Sequence, residues 1–139
     1  MQTYTARVMH IEQATPSIKA FSLLVETPGF RTLPGQWVEV TATVNGQDLK
    51  SGYSVTTAPN DCGELGLAIR NSSSHPLTRH LHTLQAGDTL QITRGQGPFV
   101  FLPDMGEDIV LIGGGVGVTP LLSIWRHVRD QSPETHATL

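Results

Sequence analysis

Cysteine is nearly absent from this sequence: Cys62 stands alone among 139 residues. A single thiol excludes an intramolecular disulfide framework and any multi-cysteine metal site. Lysine is almost as scarce, with only Lys19 and Lys50, and the formal net charge is −3. A chain that lives on phosphate-backbone contacts carries a basic face, so nucleic-acid binding, including a small barrel for oligonucleotides, is disfavoured. No apolar run approaches the roughly 20 residues needed to span a bilayer. The first residues, Met1-Gln2-Thr3-Tyr4, lack the basic-then-apolar order of a signal peptide. The expected location is the cytoplasm, with no membrane span. With 15% charged and 38% hydrophobic residues, the chain is neither a disordered tail nor a coiled coil.

What the chain has in excess is turn-forming residues, 14 glycines and 9 prolines. They punctuate short runs of strand character: Thr5 to Gln13, Ile18 to Glu26, Leu33 to Thr41, Tyr53 to Thr56, Leu65 to Arg70 and Leu90 to Arg94. Asn45-Gly46 is a hairpin signal. One helix interrupts them. Pro76 suits a first helical position, Leu77, Leu81 and Leu84 recur on one face, and Gly87 marks the stop. Six or more short strands with one helix predict a mainly β fold closed into a small barrel, because closure removes exposed edges.

The character changes after Pro103. Asp108-Ile109-Val110-Leu111-Ile112 is an apolar run of the kind covered on both faces in a parallel sheet. A glycine loop, Gly113 to Gly117, follows it. Thr119-Pro120 then opens a helix bearing Leu121, Leu122, Ile124, Trp125 and Val128. This reads as the first half of a βαβ unit, with no further strand left to pair. Without a sheet, the helix stripe is expected to pack on the barrel or across a homodimer.

Three segments have the makings of a site. In Gly113-Gly114-Gly115-Val116-Gly117-Val118-Thr119-Pro120, residues without side chains let a phosphate approach backbone N–H groups at a helix start. The loop lacks the Gly-x-Gly-x-x-Gly spacing and the lysine of a nucleoside-triphosphate loop; the competing reading is a tight structural turn. Ser51-Gly52-Tyr53-Ser54-Val55 is a short strand whose tyrosine is either a core residue or a ligand platform. Ser72-Ser73-Ser74-His75-Pro76-Leu77-Thr78-Arg79 leads into a helix whose first N–H groups lack partners, and these either hold a diphosphate, with Arg70 or Arg79 in support, or are capped by Ser74. His80 and His82 do not share a helix face, so with His75 they read as surface or capping residues, not as a metal site. Cys62 has no base partner in view, and Asp104, Glu107 and Asp108 read as a solvated linker.

Taken in order, Leu33-Pro34-Gly35-Gln36-Trp37-Val38, Tyr53-Ser54, Leu65 to Arg70, Leu77-Thr78, Leu90 to Phe99 and Gly114 to Pro120 resemble the ferredoxin–NADP reductase superfamily, with the flavour of its cytochrome b5 reductase-like flavoproteins. The resemblance implies a six-stranded antiparallel Greek-key barrel binding FAD, occasionally FMN, over residues 1–103. Residues 104–139 would be the incomplete start of a Rossmann-like NAD(P)-binding domain, its first β-loop-α unit. It implies an oxidoreductase in which a hydride passes from NAD(P)H to flavin and electrons leave to an unidentified acceptor. Tyr53 and Ser54 would stand at the reacting ring. The backbone at Ala68, Ile69 and Arg70 would follow the flavin's ribityl and diphosphate chain, Val55 would join the cofactor-binding set, and the Leu77 and Thr78 amides would meet the diphosphate. Gly114, Gly115, Gly117, Val118, Thr119 and Pro120 would serve the nicotinamide nucleotide.

Two features depart from that pattern. The family's arginine, two residues before the tyrosine, is Ser51 here, and losing one charge-assisted contact costs about 1.5–3 kcal/mol. The remainder of the nucleotide domain is missing from the sequence. The alternative expectation is thus a non-catalytic flavin-binding module, or a remnant that needs a partner chain.

Overall fold

The computed structural model describes residues 1–139. Six strands form one antiparallel sheet: β1 (Thr3–Thr15), β2 (Ile18–Val25), β3 (Trp37–Val44), β4 (Gln47–Ser54), β5 (Glu64–Arg70) and β6 (Thr89–Thr93), in the order β4-β3-β6-β1-β2-β5. Period-2 burial makes this sheet one-sided. Phe21, Leu23 and Val25 of β2 face inward with Leu65, Leu67 and Ile69 of β5, and Val38, Val40 and Ile92 complete the far wall. The β3–β4 hairpin turns at Asn45-Gly46, both with positive φ (50° and 77°), the backbone twist that a two-residue hairpin loop requires.

The barrel closes at one point. Where β4 ends, Val55 bridges to Leu67 of β5, and the Thr56 N–H donates to the Gly66 carbonyl at 2.9 Å. The Val55 N–H donates in turn to the Gln36 carbonyl at 2.9 Å. Closure needs glycine at position 66, since a Cβ there would stand 2.6 Å from Thr56 Oγ1. Helix α1 (Pro76–Leu81) plugs one end with Leu77 and Leu81. It is six residues long, shorter than the Leu77–Leu84 periodicity predicts, because Thr83 and Leu84 tighten into turns onto the His80 and Leu81 carbonyls.

The second lobe corrects an expectation. Strand β7 (Asp108–Val110) does find a partner in this chain: β8 (His136–Thr138) pairs with it in parallel, after helix α2 (Thr119–Gln131). A three-residue strand ending one residue before Leu139 carries too short a pattern to be read from periodicity. The β-α-β unit is therefore complete, and the apolar stripe of α2 is not an orphan. Ile124 and Val128 bury with Phe101 against Ile109, Leu111 and Ala137. The apolar run is nonetheless not covered on both faces: Val110 and Ile112 are 71% and 89% exposed. Trp125 is half-buried beneath the Arg129 guanidinium, 5.5 Å from its ring centroid.

Replacing Gly66 with alanine should destabilise the chain by about 1–3 kcal/mol, the usual cost of overpacking a filled interior. Urea unfolding of Gly66→Ala reads this; a midpoint equal to that of the parent would show that the closure tolerates a methyl group.

Candidate functional site

The end of β4, the end of β5 and the glycine loop meet in one cleft. Its walls are Gly52, Tyr53, Ser54, Ala68 and Arg70 from the barrel, and Val116, Gly117, Thr119 and Pro120 from the second lobe; it holds about 370 Å³. That volume lies in the range of small-molecule sites. A second cleft begins on the other side of Tyr53, lined by Leu49, Lys50, Ser51, His75, Pro76, Leu77 and Thr78. Tyr53 is the residue common to both, and the two clefts taken in order trace a track, divided at Tyr53, from the glycine loop to the start of α1.

Strand alternation places Tyr53 here. It sits opposite Val38 on β3, at the last pairs of the hairpin ladder, where its ring packs at the barrel edge. Its Oη is buried and forms no hydrogen bond. Burial is the larger effect on the phenol and pushes it above its ordinary value of about 10; the Ser51 side chain lies outside good hydrogen-bond geometry but still interacts weakly and lowers it slightly. A buried hydroxyl without a partner is costly, which marks it as a group shaped to meet something from outside the chain. Ser54 likewise makes no side-chain hydrogen bond, unlike the neighbouring Thr57, whose Oγ1 accepts from the Gly66 N–H at 3.1 Å.

The glycine loop separates structural glycines from others. A Cβ on Gly113 would stand 2.7 Å from the Leu121 Cδ1 methyl and 3.2 Å from the Val118 Cα, so the loop is tightly packed there, and Gly115 has φ 57°. At Gly114 and Gly117 a Cβ would meet nothing within 4 Å. The fold alone gives no reason for glycine at those two positions; close approach of a ligand does. The loop continues as a 3₁₀ turn over Gly115–Val118, and Thr119 Oγ1 donates to the Val116 carbonyl at 2.8 Å, bracing the turn into α2.

At the other end, His75 is the N-cap of α1 and provides no side-chain cap. Ser74 does not cap either: its Oγ bonds His75 Nδ1 at 3.0 Å. Thr78 instead ties the loop to the helix, accepting from the Ser72 N–H at 3.1 Å and donating to the His75 carbonyl at 2.9 Å. Leu77 and Thr78 lie in the first helical turn, where N–H groups have no intrahelical acceptor, and Thr78 is only half-buried beside the tyrosine.

The structure thus brings together Tyr53, Ser54, Ala68, Arg70, Gly117, Thr119 and Pro120, with Leu77 and Thr78 along the adjoining cleft. Gly114, Gly115 and Val118 belong to the loop without lining the cleft. Val55 and Ile69 point the other way: both side chains are in the barrel core, 0% and 1% exposed. The Val55 N–H is engaged by Gln36, and the Ile69 carbonyl bonds His82 Nε2 at 2.7 Å. Either residue could meet a ligand only through its remaining backbone atoms, as strand alternation turns every second side chain inward. Of the cations, Arg79 Nη1 is held on the Ser73 carbonyl at 3.0 Å and Lys50 pairs with Glu39 at 3.6 Å, which leaves Arg70 as the cation of the main cleft. Sequence reading missed Gly52 and Val116 as walls, since neither residue type announces a ligand.

Residues 5–101 match the model of the oxidoreductase FAD-binding domain. The chain is 32% identical over 143 aligned residues to oxidoreductase NAD-binding domain-containing protein 1 of Danio rerio, covering 99% of this chain and 52% of that protein. It is 32% identical over 90 residues to NADH-cytochrome b5 reductase 1 of Cryptococcus neoformans, covering 65% of this chain and 31% of the relative. Among solved structures it is similar to the FAD/NAD-binding domain of nitric oxide dioxygenase from Vibrio cholerae, with a TM-score of 0.82 at 22% identity over 92% of this chain and 57% of that one. The chain spans about half the length, or less, of the curated relatives it matches.

The Tyr53 phenol makes stability fall in alkali. Burial favours its neutral form, so the folded chain keeps this proton to higher pH than the unfolded chain does. Its contribution is complete below about pH 10 and is lost as pH rises through the raised folded value. Urea midpoints followed from neutral pH into this range should fall less steeply for Tyr53→Phe than for the parent; superimposable alkaline limbs would remove Tyr53 as the cause.

Proposed function

This chain belongs to the oxidoreductase FAD-binding domain family, and from that premise we propose that it is the flavin lobe, with the start of the nucleotide lobe, of an FAD-dependent oxidoreductase of ferredoxin reductase type. Residues 1–103 form the first and residues 104–139 the second. The observation that carries the reading is the track divided at Tyr53: an unpartnered buried phenol at its middle, an unencumbered glycine loop at one end and first-turn helix amides at the other. A flavin with a diphosphate tail fits that order of groups.

The bound cofactor supplies the redox chemistry, accepting a hydride from NAD(P)H and releasing electrons to an acceptor of unassigned identity. The chain's own residues position and polarise. Tyr53 offers a ring face and directs its Oη to a polar atom of the ligand, relieving the desolvation it suffers alone. Ser54 presents a free hydroxyl at the mouth of the same cleft. Ala68 and Arg70 form the floor, with the Arg70 guanidinium as the local positive charge. The Leu77 and Thr78 amides face the diphosphate, and the backbone of Gly114, Gly115, Gly117 and Val118, followed by Thr119 and Pro120, faces the second nucleotide.

One observation favours a second reading, a flavin-binding module without turnover of its own: Ser51 is a neutral hydroxyl at the tail end of the track, where the only lysine, Lys50, is already paired with Glu39. Two measurements separate the readings. Titration of the purified chain with FAD should saturate and give a structured visible band; a colourless protein after dialysis, with no saturable change, contradicts both. Anaerobic stopped-flow mixing of the FAD-loaded chain with NADH then decides between them. Rapid bleaching identifies a self-sufficient enzyme, and an unchanged flavin spectrum identifies the module.

A further inference from the structure

Helix α2 carries two faces, and only one is explained by its small sheet. Leu121, Ile124 and Val128 bury on the apolar side. Away from that side stand Ser123 and Arg126, and together with Gln131 at the helix end they donate to carbonyls of one barrel segment. Ser123 Oγ donates to the Thr57 carbonyl at 2.6 Å, Arg126 Nη1 to the Thr56 carbonyl at 2.6 Å, and Gln131 Nε2 to the Pro59 carbonyl at 3.1 Å. Ser123 is 0% exposed and also accepts from the Gly35 N–H at 3.4 Å, which ties the helix to a second barrel turn.

The location of this clasp is informative. Residues Thr56 to Pro59 follow directly on Tyr53 and Ser54. The N–H groups of Val55 and Thr56 are held by the barrel, on the Gln36 and Gly66 carbonyls. The carbonyls of Thr56 and Thr57 accept from α2 and would lack those partners without it. The helix that receives them begins at Thr119 and Pro120, which are themselves walls of the cleft. Neither Ser123 nor Arg126 lines that cleft. Asp130, one turn along from Arg126, is occupied by Arg129 at 2.5 and 2.9 Å, so the Arg126 guanidinium is left to the carbonyl.

We propose that Ser123 and Arg126 are positioning residues: they hold the Val116–Pro120 wall at a set distance from the Tyr53–Ser54 wall and so fix the width of the cofactor cleft. The flavin consequence rests on the function proposed above; the mechanical consequence does not. A clasp made of two short hydrogen bonds from one helix to consecutive carbonyls constrains both the spacing and the rotation of the helix, because each bond weakens steeply away from its preferred distance and angle.

The test uses the whole chain with Ser123→Ala, Arg126→Met and the conservative Arg126→Lys. Three readouts are taken: hydrogen exchange of residues 115–121, the visible circular dichroism of added FAD, and its dissociation constant. In Ser123→Ala and Arg126→Met, exchange in 115–121 should rise about tenfold while β1, β2 and β5 stay protected. The dissociation constant for FAD should rise about three- to tenfold with a flattened dichroism band, and Arg126→Lys should recover most of both. Variants that melt earlier yet keep parental exchange in 115–121 and a parental flavin spectrum would show a purely structural clasp and overturn the proposal. If the parent binds no FAD, the flavin reading fails and exchange alone decides: unchanged protection of 115–121 overturns the clasp. Should Ser123→Ala not fold, Arg126→Met and Arg126→Lys decide by the same readouts.

Discussion

The structure depends on a five-residue segment, Val55 to Pro59, whose first two N–H groups bond to the barrel and whose Thr56, Thr57 and Pro59 carbonyls accept from helix α2. Those N–H groups complete the barrel through Gln36 and Gly66; those carbonyls receive α2 through Ser123, Arg126 and Gln131. A backbone leaving a sheet into the interior must satisfy both kinds of group. Here one set of partners makes the β-lobe close and the other makes the second lobe dock. The cleft between the lobes follows from that division, since its barrel wall ends at Ser54 and its opposite wall begins α2.

Within the cleft, most of the chemistry resides in backbone. The walls carry few ionisable groups, and the chain as a whole has few to give, at 15% charged residues. What converges instead is a glycine loop open to approach, the first turn of a short helix, and a phenol whose hydroxyl is buried. On the function proposed for it, such a site positions an electron carrier and leaves the reactivity to that cofactor. The cation of the main cleft is Arg70, while at the helix end Lys50 is paired with Glu39 and position 51 is a neutral serine.

Legibility varied with the range of the interaction. The Asn45-Gly46 turn, the alternating strands and Pro76 at the first helical position are local, and each stands in the structure where its residue types predict. The order of weak motifs also led to the right family. By contrast, Ser74 was a reasonable cap on composition, yet its hydroxyl bonds His75; the competition between a capping amide and an imidazole is decided by loop shape. Motif order predicts that Ile69 meets the ligand through its backbone, and its side chain, like that of Val55, lies in the core, because strand alternation sends every second side chain inward. Ser123 stands between Leu122 and Ile124, and its buried hydroxyl requires an acceptor from elsewhere in the fold, although nothing nearby in the chain names Thr57.

Sequence alone determined the class of fold, the punctuation of its strands, and the segments rich in exposed amides, because these follow from steric and hydrogen-bonding preferences of neighbouring residues. Tertiary structure decided that β8 pairs with β7, that α2 turns its polar side to the barrel, and that Tyr53 stands at the junction of two clefts. Each of those joins residues from distant parts of the chain, Ser123 with Thr57 or Thr119 with Tyr53, and the energy of such a contact exists only once closure of the barrel has brought both ends to the same place.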